Sequence, residues 1–250
     1  YQIKAYNPLQ ASKKNNARRD FLVTQLLPKH AREKYTVPEE SDNGIIDEFK
    51  DVFMLYTDIK GFTAFSAGKD PYKVVEALGK LYTRFDELIY NINMANKENP
   101  QVYKLYTIGD AYITLSFLDK DIRDIYVEGR NTVKMAMNMR TAIEEVKKEI
   151  GYSGLSMRLG IHVGNIVGGV CGTDIVRYDI FGVDSIIANE MESESLEGKI
   201  NVSEDAKKVF ESDPKGCPFE FTEHRVVELK KFGVKVQSYL LELKEGEEID

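Results

Sequence analysis

The order of apolar patterns along this chain restricts the folds open to it. Strand-like runs alternate with stretches of helical periodicity. The first part reads β-α-α-β-β-α-β, over 51–58, a short helix from about Phe62, 71–95, 103–107, 111–117, 121–148 and 155–163. Later strands are predicted at 166–171, 178–181, 200–202, 219–222, 225–229 and 236–243, and helices at 184–195 and after Ser203.

Turn residues join some of these strands in pairs. Gly109-Asp110 separates two predicted strands and is typical of a hairpin turn, and Gly164-Asn165 joins another two. Because helices alternate with strand pairs, the pattern favours an α+β domain over a strict βαβα order. The opening order fits a ferredoxin-like core, in which helices pack on a mainly antiparallel sheet.

Two aspartates follow apolar runs at glycine turns. Asp58 follows the run at 52–56 and opens the string DIKGFT, and Asp110 lies in YTIGDAY. If the fold brings both carboxylates together, they form a site for hard divalent cations, which prefer oxygen ligands. Metals beside a glycine-rich backbone are a usual way to bind and cut a triphosphate. Taken singly, Asp58 could be a helix N-cap and Asp110 a hairpin residue.

Composition excludes several classes of partner. The net charge of −7 argues against non-specific binding to nucleic acid or to an anionic membrane, although residues 1–40 are basic. No apolar stretch is long enough to cross a bilayer, so direct membrane insertion is not expected. Two cysteines, Cys171 and Cys217, indicate a reducing compartment without a disulfide framework. Since the chain starts without methionine, we expect a soluble piece of a larger protein.

Six ordered motifs carry a family resemblance. They are DIKGFTAFS, KLYTRFDELI, VYKLYTIGDAYI, MRLGIHVGNIVGGVCG, VRYDIFG and ANEMES. Together they resemble the catalytic domain of class III nucleotidyl cyclases. Within that family, YTIGD, GTDIVRYDIFG and ANEMES are most similar to the cyclase domains of protist guanylyl cyclases that are linked to P-type-ATPase-like membrane proteins.

The resemblance implies a division of the chain and a location. The catalytic domain would span 51–243, followed by an acidic tail at 244–250. Residues 1–50 would comprise a polar N-terminus, a helix at 17–35 that resembles the linker helix before these domains, and a loop. The expected location is the cytosolic side of a membrane, as one domain of a larger membrane protein.

The resemblance also implies a metal site. Asp58 and Asp110 would each bridge two Mg²⁺ (or Mn²⁺) ions, and the carbonyl of Ile59 would add a ligand. One ion would lower the pKa of the ribose 3′-hydroxyl, and the other would hold the β- and γ-phosphates. The 3′-oxygen would then attack the α-phosphorus, and pyrophosphate would leave.

Phosphate contacts are implied in the same way. The backbone amides of Gly61, Phe62 and Thr63, at the start of a helix, would face the phosphates. At Gly61 a side chain would block close approach. Arg158, in MRLGIH, matches the family arginine that contacts the phosphate tail. Outside that context, Arg158 could instead form a surface salt bridge.

Other family positions are occupied by different residues. Ile186 stands where an asparagine is expected, Glu190 where a transition-state arginine is expected, and Phe232 where a phosphate-binding lysine is expected. Since family sites form between two domains, the chain is interpreted as the metal-bearing half of a heterodimer. Its partner would be a complementary cyclase domain, plausibly in the same polypeptide.

Three functions follow from this interpretation. The first is a guanylate cyclase that forms cyclic GMP and pyrophosphate from GTP. The alternative substrate is ATP, which would give an adenylate cyclase, because the base-reading residues belong to the missing half. The alternative from another class is a catalytically silent regulatory domain that only positions a partner.

Overall fold

The computed structural model describes residue 31 and residues 46–95, 102–116, 123–171 and 177–249. The predicted linker helix at 17–35 lies outside the described residues, apart from Ala31, which is helical and buried. The proposed division of the chain at residues 50 and 243 therefore stays a prediction.

Two compact units divide the chain. The smaller comprises Tyr1–Asp47 and Gly168–Asp179, and the larger comprises Glu48–Val167 and Ile180–Asp250. All the candidate metal and phosphate residues belong to the larger unit. In the smaller unit, residues 168–171 end one strand and residues 177–179 begin the next.

The described elements follow the predicted order. The strands are β1 Ile46–Lys60, β2 Val102–Ile108, β3 Ala111–Ser116, β4 Ser156–Cys171, β5 Arg177–Phe181, β6 Ile200–Ser203, β7 Phe219–Leu229 and β8 Val234–Leu243. The helices are α1 Phe62–Ala67, α2 Pro71–Ala95, α3 Ile125–Ile150, α4 Val183–Ser193 and α5 Glu204–Glu211. Among these helices, none combines the length and the apolar character that crossing a membrane requires.

The sheet is mainly antiparallel. Its strand order is β2-β3-β1-β4-β6-β8-β7, and β5 pairs with β4 beside this path. Strand β3 pairs antiparallel with β1 and β2, and β8 pairs antiparallel with β6 and β7. Strands β4 and β6 are parallel, and α4 lies in the crossover between them, as a parallel pair requires. The α+β class is therefore confirmed.

Apolar spacing on the long helices explains the core. Helix α2 buries Ala77, Leu81, Phe85 and Ile92, which lie on one face at intervals close to whole turns. They join a single core cluster with residues of α3 and of the central strands, including Phe53, Leu55, Met135, Met139, Leu159 and Ile161. Burying each such large side chain contributes roughly 1.5–3 kcal/mol. This packing holds β1, which carries Asp58, in the middle of the sheet.

Strand β4 corrects one prediction. It runs without a break through Gly164-Asn165, where the sequence suggested a join between two strands. Gly164 lacks the positive φ that a two-residue hairpin turn uses. A Cβ on Gly164 would lie 2.4 Å from the carboxyl carbon of Asp184. Gly164 therefore makes room for a side chain of α4 and does not form a turn.

Two other strands are longer than predicted. Strand β7 spans both predicted strands at 219–222 and 225–229, and only a register irregularity between Glu223 and Val226 marks the gap. Strand β1 begins at Ile46 instead of residue 51. The two-residue turn at Gly109-Asp110 is confirmed, with Ile108 opposite Ala111.

Candidate metal and phosphate site

The structure brings Asp58 and Asp110 together. Asp58 lies near the end of β1, and Asp110 lies in the turn between β2 and β3. Because β1 and β3 are antiparallel neighbours with Thr57 opposite Tyr112, both aspartates reach the same end of the sheet. Their carboxyl groups lie within hydrogen-bonding range of each other. The convergence expected from the sequence is therefore present.

The electrostatics of this pair suit a cation. Burial and the negative charge of Asp58 raise the pKa of Asp110, and backbone N–H groups, its own and that of Ile59, act in the opposite direction. Two ionised carboxylates this close repel each other, so a divalent cation between them would relieve the repulsion. The backbone N–H of Ile59 therefore lies beside Asp110, and the ligand role of the Ile59 carbonyl stays a prediction.

Within the described ranges, no group of three or more His, Cys, Asp and Glu side chains could hold a metal. Asp58 and Asp110 would therefore supply only part of a coordination shell. The remaining oxygens would have to come from the backbone, from water or from a phosphate-bearing ligand. Hard cations such as Mg²⁺ commonly bind in this way, through one or two carboxylates and substrate phosphates. The donor set fits such an ion.

Arg158 occupies the space beside Asp58. It lies on β4, and its Nη2 donates a hydrogen bond to Asp58 Oδ2 at 2.5 Å. Its Nε lies 3.0 Å from Glu192 Oε1, an ion pair that lacks hydrogen-bond alignment, since neither atom has a hydrogen-bond partner. Burial lowers the pKa of Arg158, but the hydrogen bond to Asp58 and the surrounding carboxylates raise it overall. The arginine is therefore a fixed positive charge within the site.

Glu192 is a site residue that sequence reasoning missed. It lies on α4 among buried apolar neighbours, and its side chain is only 9% exposed. Burial raises the pKa of Glu192 to about 7, and the charges of Asp58 and Asp110 add to the effect while Arg158 opposes it. One signal was available in the sequence: Glu192 is a charged residue on the apolar face that also carries Ala188 and Met191.

Tyr82 also has a polar role that the sequence did not indicate. The ring of Tyr82 packs against the rings of Phe85 and Tyr112. Its hydroxyl donates a hydrogen bond of 2.6 Å to the carbonyl of Gly109, next to Asp110. Burial and the charges of Asp110 and Asp58 raise the pKa of Tyr82 to about 12. The tyrosine thus anchors the turn that carries Asp110.

The start of α1 lies one turn after Asp58. Gly61 adopts φ +85°, and no side chain caps this helix start. A Cβ on Gly61 would lie 2.2 Å from the carbonyl oxygen of Gly154. The structure therefore supplies an internal reason for glycine here, separate from the approach of a phosphate. The amides of Gly61, Phe62 and Thr63 lie at the N-terminal end of the helix, where the dipole favours negative charge.

The residues at the divergent family positions lie outside this cluster. Ile186 packs against a small apolar cluster that includes Met191 and Val227. Glu190 is half-buried on α4, and Phe232 is 49% exposed in the turn between β7 and β8. An isoleucine, a glutamate and a phenylalanine add no positive charge for a phosphate.

His162 is not a ligand in this arrangement. It is buried on β4, where its Nδ1 lies 2.7 Å from Ser203 Oγ and its Nε2 lies 3.5 Å from Asp184 Oδ1. Ser203 in turn accepts a hydrogen bond from the amide of Ala206 and caps α5. The polar neighbours of His162 therefore belong to α4 and to the cap of α5.

Comparison with known proteins places this geometry in a family. Residues 45–243 match the family described as Adenylate and Guanylate cyclase catalytic domain. The chain is 36% identical over 201 residues to Guanylate cyclase alpha of Plasmodium falciparum. The aligned stretch covers 79% of the chain and 4% of that protein. The chain thus spans a small fraction of the length of this relative.

Solved structures share the fold. A guanylate cyclase domain from Catenaria anguillulae in complex with GTP superimposes with a TM-score of 0.65 at 23% identity, over 80% of this chain and all of that one. The adenylyl cyclase CyaB from P. aeruginosa superimposes with a TM-score of 0.68 at 19% identity, over 81% of this chain and 98% of that one. The fold is therefore shared by a domain named as a guanylate cyclase and by one named as an adenylyl cyclase.

Proposed function

This chain belongs to the adenylate and guanylate cyclase catalytic domain family, and we propose that it is the metal-bearing half of a guanylate cyclase. It would form cyclic GMP and pyrophosphate from GTP. The observation that carries the proposal is the convergence of the Asp58 and Asp110 carboxyl groups at one end of the sheet. The pair is half-buried, and Asp58 keeps 24% of its side chain exposed and so remains open to an ion.

Asp58 and Asp110 would hold the cations, with the carbonyl of Ile59 as a further ligand. Bound there, two Mg²⁺ or Mn²⁺ ions would lower the pKa of the ribose 3′-hydroxyl and neutralise phosphate charge. The role of Asp58 and Asp110 would be to position the reacting groups. The 3′-hydroxyl would release its proton to solvent, and its oxygen would form a new bond to the α-phosphorus as the bond to the pyrophosphate oxygen breaks.

Arg158 and the start of α1 would bind the triphosphate. Arginine offers a planar fork of N–H donors that matches phosphate oxygens. The amides of Gly61, Phe62 and Thr63 would add neutral donors on the same side as Asp58. These groups would hold the leaving pyrophosphate while the carboxylates orient the attacking hydroxyl.

A complementary cyclase domain would supply the other half of the site, plausibly from the same polypeptide. The proposal is supported by Ile186, Glu190 and Phe232, which lack the chemistry needed to bind a base or stabilise the transition state. A carboxylate such as Glu190 near developing phosphate charge would repel it. Loss of one preorganised donor commonly lowers the rate about a hundred- to a thousandfold, so a homodimer of this chain would be slow.

GTP is favoured over ATP by the names of relatives in sequence. Guanylate cyclase alpha of Plasmodium falciparum shares 36% identity with this chain. The small share of that protein which the chain covers supports a place within a larger protein. A location on the cytosolic side of a membrane is part of the same proposal. ATP remains the alternative substrate, to be decided by the partner domain.

The test is reconstitution with a complementary cyclase domain that carries the asparagine and the arginine. With Mn²⁺ present, the mixture should form cyclic GMP far faster than either domain alone. Asp58→Asn should reduce that gain to background, whereas Asp205→Asn, an exposed aspartate on α5, should leave it intact. A verified heterodimer with no gain would contradict the proposal.

The second candidate, a silent regulatory domain, is disfavoured by the same pair. A domain that only positions a partner has no physical need of two adjacent, half-buried carboxylates. Titration of the reconstituted complex with Mn²⁺ and nucleotide separates the two. Absence of metal-dependent nucleotide binding would favour the silent domain.

A further inference from the structure

The ion pair between Arg158 and Glu192 has no role in the reaction proposed above. Taken as a whole residue, Glu192 is 7% exposed. Nothing in the proposed reaction requires a carboxylate there. Its Oε1 faces Arg158 Nε at 3.0 Å but makes no hydrogen bond. Its Oε2 accepts a hydrogen bond from Ser193 Oγ at 3.4 Å. One oxygen of a buried carboxylate is thus left with unused capacity, beside a guanidinium.

The backbone fixes where Glu192 stands. Arg158 and Gly160 lie two residues apart on β4, so they point to the same face of the sheet. A Cβ on Gly160 would lie 2.0 Å from the backbone nitrogen of Glu192. Helix α4 therefore rests directly on the strand at this point. That contact fixes the backbone of Glu192 relative to β4, and the two side chains reach across the remaining distance.

The end of α4 offers Arg158 a second partner. Arg158 Nη1 also donates to the carbonyl of Ser193 at 3.5 Å. Carbonyls at a helix C-terminus carry partial negative charge and attract cations. Arg158 therefore touches Asp58 on one side and the last turn of α4 on the other.

A divalent cation would compete with Arg158 for Asp58. The ion needs the same carboxylate oxygens to which the guanidinium now donates. An arginine stays charged under all ordinary conditions. A guanidinium that loses Asp58 without gaining another carboxylate would be a partly buried, unpaired charge, which is costly. Cation binding at Asp58 thus depends on what else can hold Arg158.

We propose that Glu192 is a positioning residue, which holds Arg158 on the last turn of α4 when a divalent cation takes Asp58. The inference rests on the proposed function, since it assumes that Asp58 is a cation ligand. In the cation-free state Arg158 is shared between two carboxylates. In the cation-bound state it pairs with Glu192 alone and remains in place to bind a phosphate.

The test measures Mn²⁺ binding to the chain without nucleotide, by the electron paramagnetic resonance signal of the free ion. Glu192→Gln keeps the shape of the side chain and removes its charge. It should weaken Mn²⁺ binding about three- to tenfold, the usual size of coupling between contacting charges. The matched control is Glu197→Gln, which removes the same charge from an exposed position shortly after the same helix and should change little.

A double-mutant cycle separates positioning from a general field effect. In an Arg158→Gln background the competitor is gone, so Glu192→Gln should then have little effect on Mn²⁺ binding. An equal loss in both backgrounds would overturn the inference, as would unchanged binding in the single variant. If wild-type chain fails to bind Mn²⁺, or Asp58→Asn binds it equally well, the proposed function itself fails.

A second measurement does not depend on the Glu192 variant folding. The ¹⁵N–¹H resonance of Arg158 Nε reports the hydrogen bonding of that group. Saturating wild-type chain with Mg²⁺ should shift this resonance and slow its exchange with water, because Nε gains an aligned hydrogen bond to Glu192. A resonance that stays unchanged, or exchanges faster, would contradict the inference.

Discussion

Four charged residues of the site lie next to one another. Asp110 and Asp58 lie side by side, Arg158 neutralises Asp58, and Glu192 stands on the far side of Arg158. Three carboxylates surround one guanidinium, so the cluster carries excess negative charge once they are ionised. An excess of this kind attracts a divalent cation and also lowers the stability of the cation-free protein.

Glu192 makes stability depend on pH. Its pKa is about 7 in the folded chain and near the ordinary value of about 4.5 when unfolded. Since the folded state holds the proton more tightly, the free energy of unfolding should fall as the pH rises from about 4.5 to about 7. Urea unfolding without divalent cations, at pH 5 and pH 8, measures this.

The comparison with Glu192→Gln isolates the contribution of this group. The wild type should lose up to about 3 kcal/mol more than the variant between the two pH values. Other groups titrate in both proteins and cancel in the difference. Equal pH dependence in the two proteins would show that Glu192 titrates normally.

Tyr82 provides a test of one hydroxyl. Tyr82→Phe removes the hydrogen bond to the Gly109 carbonyl and leaves the ring packing in place. We expect a loss of about 1 kcal/mol in stability and weaker Mn²⁺ binding, because the turn that carries Asp110 is less fixed. Urea unfolding and Mn²⁺ titration measure the two effects.

Tyr112→Phe is the control for that variant. The Tyr112 hydroxyl donates to Asp86 and not to the turn. Its loss should lower stability but leave Mn²⁺ binding near the wild-type value. Equal Mn²⁺ binding in both variants would show that the hydroxyl of Tyr82 does not anchor Asp110.

Elements meet at close backbone contacts near the site. Strand β4 carries Arg158, and α4 carries Glu192, and the two elements touch at Gly160 and again at Gly164. Because neither glycine has a side chain, the helix can lie against the strand itself. The relative position of the two charged residues is thus a property of how a helix packs on a strand.

Gly160→Ala should separate these elements. Its Cβ would lie 2.0 Å from the nitrogen of Glu192 and 2.5 Å from the carbonyl carbon of Met191, both backbone atoms that cannot rotate away. Overpacking of this kind typically costs about 1–3 kcal/mol, occasionally more. We expect lower stability by urea unfolding and weaker Mn²⁺ binding.

Gly79→Ala is a matched control on α2. A Cβ there meets no atom within 4 Å, so alanine should stabilise the helix by roughly 0.5–1 kcal/mol. Mn²⁺ binding should not change. If Gly160→Ala behaved like Gly79→Ala, the close contact between α4 and β4 would be wrong.

On the proposed function, this chain supplies one half of an active site and a second domain supplies the other half. The cation residues converge within it, but Ile186, Glu190 and Phe232 occupy the positions where the resemblance expects an asparagine, an arginine and a lysine. A symmetric pair of such chains would place two cation sites opposite two surfaces that lack these groups. On this proposal, activity would belong to an assembly of unlike halves.

Restoring the missing groups should create activity in the chain alone. The triple variant Ile186→Asn, Glu190→Arg, Phe232→Lys should convert GTP to cyclic GMP faster than wild type when each is assayed alone with Mn²⁺. Each restored donor is expected to contribute up to about a hundred- to a thousandfold, without simple additivity.

The exposed Glu197→Arg makes the same change of charge as Glu190→Arg outside the site. It should leave the low wild-type rate unchanged. Equal rates for wild type and a folded, dimeric triple variant would argue against the assignment of these three positions.

The sequence determined the element types, the turn at Gly109-Asp110 and the two aspartates, because apolar periodicity and glycine turns are local signals. It misjudged Gly164, since a glycine that admits a helix side chain looks like a turn glycine until the helix is in place. The partners of Arg158 and the role of Tyr82 were decided only by tertiary structure. Asp58 and Glu192 are 100 and 34 residues from Arg158 along the chain, and they meet it because β1 and α4 both pack against β4. Such neighbours depend on packing between elements, which no local pattern records.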